Sequence, residues 1–197
     1  MVSTLTKPEI PITITDLTWR EFKAAEQLID RPGIRLSFLD GVLEIRRSPG
    51  EKHKTIKERI GTLLDFYLLQ TGIDYTPTGS MTLESEEGLV KRKADESYKL
   101  SSGLAQPNLA IEVVVTSGGI DKLAADKRLG MPEVWFWENG SLAIYCLRST
   151  DESIEYKQLQ SSEVLPSLDI ATLTKCINLA NHVEAVRTFQ QTINSNG

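Results

Sequence analysis

The sequence is poor in the residues that build ready-made sites. Only 2 cysteines occur among 197 residues, Cys146 and Cys176. Nothing surrounds either with metal-ligand spacing, which excludes a disulfide scaffold and suits a reducing compartment. Long hydrophobic runs are also missing. The most apolar stretch, Leu109 to Val115, is too short to span a bilayer and contains Glu112. Met1 to Asp16 carries one lysine and alternates Thr and Ile without a continuous apolar core, so neither a signal peptide nor membrane attachment is expected, and the location expected is cytoplasmic. Nor is there an excess of positive charge. With 22 Lys and Arg against 27 Asp and Glu, the net charge is -5, which excludes a protein that coats nucleic acid with charge on every side.

What is present is the composition of a soluble globular protein, 40% hydrophobic and 25% charged. The length suits a single domain over residues 1–197, and no internal repeat or low-complexity block interrupts it. Thr18 to Ile29 reads as an amphipathic helix with Thr18 as its cap. Ile34 to Leu39 and Val42 to Arg46 alternate around Asp40-Gly41, a strong hairpin signal. Helical spacing then runs from Glu51 to Gln70 and closes at Thr71-Gly72. Short strands follow at Gly79 to Leu83 and Leu89 to Lys93.

Asn108 to Thr116 is apolar on both faces, which marks an interior strand. After a Gly118-Gly119 break come a short helix from about Ile120 to Leu129, a strand from Glu133 to Trp137, an Asn139-Gly140 turn and a returning strand from Leu142 to Leu147. A last strand, Ile154 to Leu159, precedes a helical tail from Asp169 onward. This order predicts an α/β or α+β fold, a mixed sheet flanked by helices.

Glu112 is the residue this pattern explains least well. Burying an unpaired carboxylate in such a strand costs on the order of 3 to 5 kcal/mol, so it calls for a cation, a partner or a metal. A structural salt bridge, or a strand whose Glu side is open to water, is the plain alternative. Asp95 follows a strand expected to neighbour the Glu112 strand, so both carboxylates can reach one end of a sheet. Two hard oxygen donors there suit Mg2+ or Mn2+, which keep several waters and complete their shell with phosphate. Taken alone, Asp95 is more often a turn residue. Near the start of the following helix Lys122, Lys127 and Arg128 are equally able to supply a cation, and the pattern does not choose among them. His53 shares a helical stripe with Ile56 and Ile60; a core histidine satisfied by a hydrogen bond is the commoner fate of such a residue, an accessory role at a site the rarer one.

Charge is unevenly spread. Arg46 to Arg59 holds six basic against two acidic residues, a local +4, and Lys91 to Lys99 holds four against two, a local +2, which leaves -11 elsewhere. Such a footprint can hold a phosphate backbone, although solvated faces are the default for any charge run.

Four segments then resemble a known family: Lys93-Ala94-Asp95-Glu96-Ser97-Tyr98, Pro107-Asn108-Leu109-Ala110-Ile111-Glu112-Val113, Asp121-Lys122-Leu123, and Leu129-Gly130-Met131-Pro132-Glu133-Val134-Trp135. Together they resemble the Uma-two type restriction endonucleases of the PD-(D/E)XK nuclease superfamily, over about residues 17–159. The resemblance implies a restriction-endonuclease-like core with an added N-terminal hairpin and C-terminal helices, the tail spanning about 166–193. Asp95 and Glu112 match the family's metal-binding Asp and Glu. Val114 stands where the strand usually carries lysine, and counting back from Gly130-Met131-Pro132-Glu133 places the relocated lysine at Lys122. Ala94 replaces the common proline, and Asp126 stands where the family commonly carries tyrosine.

The expectation is therefore a Mg2+- or Mn2+-dependent endonuclease acting on DNA. Asp95, Glu112 and the Val113 carbonyl would hold the metal, Lys122 would orient or deprotonate the nucleophile, and Arg46, Arg47, Lys91 and Lys93 would line the duplex. The superfamily implies a homodimer. The rival is a protein that binds nucleic acid on the same fold without cutting it, or a regulatory protein in which Glu112 and Lys122 form a plain ion pair.

Overall fold

The structure, a computed structural model, describes residues 11–114, 121–150 and 153–195. Its elements in chain order are β1 (Ile12–Ile14), α1 (Trp19–Ile29), β2 (Ile34–Leu39), β3 (Val42–Arg47), α2 (Glu51–Thr71), β4 (Thr76–Pro77), β5 (Thr82–Ser85), β6 (Val90–Lys93), β7 (Glu96–Lys99), β8 (Leu109–Val114), α3 (Lys122–Arg128), β9 (Glu133–Glu138), β10 (Ser141–Ser149), β11 (Ile154–Leu159), α4 (Ile170–Ile177) and α5 (His182–Ser195). The expected Gly118-Gly119 break and the end of the strand at Val115-Thr116 lie outside the described residues.

The chain groups into two compact units, one drawn from Met1–Pro49, Thr82–Lys93 and Thr116–Leu129, the other from Gly50–Met81, Ala94–Val115 and Gly130–Gly197. The first unit holds an antiparallel sheet in the order β1-β3-β2-β6-β5. Its β2–β3 hairpin turns at Asp40-Gly41, where both residues have positive φ, 46° and 85°. That is the type I′ geometry whose twist matches the flanking strands. Helix α1 begins with a complete capping box: the Glu21 N–H donates to Thr18 Oγ1 at 3.2 Å, and the Thr18 N–H donates to Glu21 Oε2 at 2.8 Å. Its apolar stripe sets Phe22 against Phe38 with stacked rings 4.5 Å apart, a contact worth about 1 kcal/mol beyond the area it buries. Leu36 and Leu43 complete this small core.

The second unit holds a mixed six-stranded sheet in the order β11-β10-β9-β8-β7-β4, in which only the β8–β9 pair is parallel. A parallel pair needs a crossover, and the segment between β8 and β9 includes α3. Helices α2, α4 and α5 bury Leu63, Leu64, Leu173 and Phe189 with Leu109, Ile111, Val113, Trp135 and Trp137 of the sheet in one large apolar cluster. Arg59 of α2 is buried, and its guanidinium donates to the carbonyls of Ile177 (2.9 Å), Leu179 and Ala180 (3.2 Å). It therefore closes the end of α4, where helix carbonyls lack partners.

One sequence expectation is corrected here. The strand ending at Lys93 does not neighbour the Glu112 strand, because β6 pairs with β2 and β5 in the antiparallel sheet. The antiparallel neighbour of β8 is β7, which begins immediately after Asp95. The chain leaves one sheet at Lys93 and enters the other at Glu96, so Ala94-Asp95 is a junction rather than the tail of a strand. The sequence showed no separate signal for β7, which is only four residues long.

Candidate active site

Strand β8 is buried along nearly its whole length, and Glu112 within it is 1% exposed. A strand with its Glu side open to water is thereby ruled out. The cross-strand register runs Tyr98 to Leu109, Ser97 to Ala110 and Glu96 to Ile111. The ladder ends there, and Asp95 is the residue immediately before β7.

Asp95 is fully buried, at 0% exposure. Its Oδ2 accepts from the Val113 backbone N–H at 2.9 Å and lies 3.0 Å from His53 Nε2. The Asp95 carboxylate is thus held at Val113, the residue that follows Glu112 toward the carboxyl end of β8. His53, in the first turn of α2, is 8% exposed. It is satisfied by a hydrogen bond, as expected of a core histidine, but the bond is to Asp95. Its other ring nitrogen, Nδ1, is buried without a hydrogen-bond partner among the described residues. A carboxylate near the positive end of a 21-residue helix is also electrostatically favoured.

Asp95, Glu112 and the Val113 carbonyl are hard oxygen donors, the type that Mg2+ or Mn2+ takes. Among the described residues no group of three or more His, Cys, Asp or Glu is arranged to hold an ion. An ion at Asp95 and Glu112 would therefore complete its shell from water or phosphate.

Lys122 opens α3, with its side chain half-buried, whereas Lys127 is exposed. Asp121 caps that helix, its Oδ1 accepting from the Ala124 N–H at 3.1 Å. Asp126, at the position where tyrosine was expected, is buried and lies 2.8 Å from Arg92 Nη1 in a salt bridge that sequence reasoning missed. Arg92 sits between Lys91 and Lys93, and strand alternation turns it to the opposite side of β6 from both. That alternation was the signal that could have separated it from the basic run.

The residues expected to line a duplex do not share one surface. In the antiparallel sheet, Lys91 pairs with Phe38, Phe38 with Leu43, and Ile34 with Arg47. Alternation therefore puts Arg47, Lys91 and Lys93 on the side of Phe38 and Arg46 on the other. Lys91 is held by Glu26 and by Glu84, the latter at 3.4 Å. Arg46 Nε is 2.6 Å from Glu44 Oε1. Arg47 and Lys93 are exposed. Arg59, counted in the same basic segment, is buried in carbonyls, and Lys57 is 3.0 Å from Glu96.

A family model described as Uma2, "Putative restriction endonuclease", matches residues 19–180. The chain belongs to the Uma2 family. The resemblance carried by the four motifs is thereby shown, and its span reaches past β11 into the C-terminal helices of this Uma2 chain. Among solved structures, the fold is similar to the crystal structure of a putative nuclease belonging to DUF820 from Anabaena variabilis ATCC 29413. That likeness has a TM-score of 0.51 at 13% identity, over 88% of this chain and 99% of the other. It establishes a shared mixed α/β architecture. No curated protein matches the chain.

Proposed function

We propose that this chain is a metal-dependent endonuclease that hydrolyses phosphodiester bonds in DNA. The observation that carries the reading is the burial of Asp95, immediately before β7, and of Glu112 within β8, with Asp95 held by the Val113 N–H and His53. Buried carboxylates are costly unless a cation or strong donors offset their charge. Membership of a family described as restriction endonucleases, and likeness to a nuclease fold, support the same reading.

A divalent ion bound at the pair would supply acidity to an attacking water and neutralise charge on the phosphate. The chain's own residues have separate tasks. Asp95 and Glu112 are the ligands, with the Val113 carbonyl as a further one. His53 fixes the Asp95 carboxylate through Nε2, the role that partners of metal ligands commonly serve. Lys122 orients or deprotonates the nucleophile. Arg47 and Lys93, exposed in the antiparallel sheet, meet the DNA backbone together with Arg46 and Lys91. A homodimer would let the two strands of a duplex be cut by two copies of the site.

The test is plasmid cleavage with Mg2+ or Mn2+ by the wild type, Asp95→Asn and Glu112→Gln. Cleavage by the wild type alone is expected, with each variant reduced at least about 100-fold, the scale on which removing a group that stabilises charge acts. Equal activity in all three would sink the assignment. A wild type that binds DNA in a salt-sensitive manner and cuts nothing would favour a binding protein on a nuclease fold.

A further inference from the structure

One buried ion pair lies outside the machinery assigned so far. Arg92 on β6 is 4% exposed and Asp126 on α3 is 1% exposed. The same guanidinium nitrogen, Nη1, is 2.8 Å from Asp126 Oδ2 and donates to the Lys122 backbone carbonyl at 2.7 Å. Arg92 therefore grips α3 at two points one turn apart, and the first of them is the peptide of Lys122.

Helix α3 has only seven residues and cannot hold its own geometry in isolation. Asp121 closes its first turn through the Ala124 N–H, and Arg128 reaches Asp40 at 2.9 Å from its far end. That outer pair is exposed, and exposed pairs constrain little. The buried Arg92 contact is what fixes the backbone where the helix begins. Arginine suits the task because its planar fork can serve two acceptors with little loss of freedom, whereas a lysine ammonium on a flexible stem cannot serve both so rigidly.

We propose that Arg92 and Asp126 are positioning residues for Lys122: the pair sets the backbone from which the Lys122 side chain departs, and so the place its charge occupies in the reaction. This rests on the reading of Lys122 as the lysine of a nuclease. The consequence is large because a catalytic group displaced by about 1 Å can lose roughly 100-fold in rate.

The experiment compares metal-dependent plasmid cleavage by the wild type, Lys122→Ala, Arg92→Met with Asp126→Leu, and the triple variant. Removing one partner alone would strand a buried charge and endanger folding. Replacing both with apolar residues of similar size removes the grip without leaving either member of the pair buried and charged opposite a missing partner. The double variant should melt within a few degrees of the wild type, lose roughly 10- to 100-fold in kcat, and keep KM within about twofold. In the triple variant the losses should not multiply, because two changes acting through one lysine are coupled. Arg92→Lys with Asp126 retained should fall between wild type and double variant. A folded double variant with wild-type kcat, or a loss that multiplies with that of Lys122→Ala, would overturn the proposal while leaving the nuclease reading intact. A wild type that cleaves nothing would overturn both.

Discussion

The parallel strands β8 and β9 carry buried carboxylates at opposite ends, held in different ways. Glu133 opens β9, opposite Leu109 at the start of β8. Its Oε1 accepts from Trp135 Nε1 and Ser162 Oγ, each at 2.6 Å. Its Oε2 accepts from Cys146 Sγ at 3.2 Å and from the backbone N–H groups of Glu163 at 2.8 Å and Val164 at 3.3 Å. Five donors saturate a carboxylate, which has about four lone-pair sites. They tie β9 to β10 and to the 162–164 segment. Glu112 lies further along, opposite Phe136, and Asp95 accepts from the Val113 N–H of β8 on the same oxygen that lies 3.0 Å from His53 in the first turn of α2. Ligands in α/β sheets collect at the carboxyl ends of parallel strands, and the amino ends serve stability. Burial is common to both carboxylate groups, so it does not by itself mark a site. Strand end tells them apart.

The sharpest way to break that contrast is to neutralise each end in turn. Glu133→Gln removes the charge and turns an amide group toward donors, so it should destabilise by about 2 to 4 kcal/mol. For a chain of this size that lowers Tm by roughly 5 to 15 °C. Glu112→Gln should shift Tm far less, within about 3 °C, on the order of 1 kcal/mol by the same scaling, while abolishing cleavage. Thermal melts followed by circular dichroism check both. A Glu112→Gln variant that melts as early as Glu133→Gln would make the two carboxylates equivalent structural groups.

How much of this was visible beforehand differs between the two ends. Glu112 could be singled out because a lone charge breaks an apolar run, and the Asp40-Gly41 turn, the Thr18 cap and the α2 span each carry local chemistry that a sequence displays. Glu133 could not be recognised, because its donors come from residues up to 31 positions away and two are backbone groups. The same limit hid the Arg92–Asp126 bridge, which spans 34 positions. It also inflated the basic footprint. Counting charge along the chain adds Arg59 and Lys91, yet one is sunk among the carbonyls at the end of α4 and the other sits between Glu26 and Glu84. Long-range partners cancel charge that composition still counts.

Within the Glu133 cluster the donors can be graded. Ser162→Ala deletes a donor to Glu133 Oε1 and also the acceptor for the Leu165 N–H at 2.8 Å. Two buried hydrogen bonds lost at once should cost about 1 to 2 kcal/mol, read as a lower urea midpoint. Cys146 contributes through its proton. Burial, and then the neighbouring Glu133 carboxylate, push its thiol from 9.0 up to about 12. Between these values the native state keeps a proton that the unfolded chain releases, so stability should fall as pH rises above 9, by up to about 1 kcal/mol at pH 10. Cys146→Ser keeps a donor to Glu133 and should flatten that slope in urea titrations at pH 8 and pH 10. An unchanged slope would remove the thiol from the cluster's energetics.

Asp65 on α2 has fewer donors than Glu133, and it tests whether donor count decides how a buried carboxylate acts. It is half-buried and bonds the Tyr98 hydroxyl of β7, while its Oδ1 is buried with no hydrogen-bond partner among the described residues. Burial raises its carboxyl above the ordinary 3.8, and the Tyr98 bond only partly opposes this. A raised carboxylate holds its proton longer in the native state than in the unfolded chain. Its favourable contribution is therefore complete below the ordinary value and is lost as pH rises through the native one. At pH 7 the charge is a liability, and Asp65→Asn, whose carbonyl can still accept from Tyr98, should raise stability by a few tenths of a kcal/mol. The gain should shrink as the pH is lowered toward 4, because the raised wild-type carboxyl gives up its charge earlier than an ordinary one. Urea midpoints for both proteins at the two pH values decide the matter. A loss of stability at pH 7 would mean that Asp65 is satisfied as Glu133 is, and that one named donor is enough to make a buried carboxylate structural.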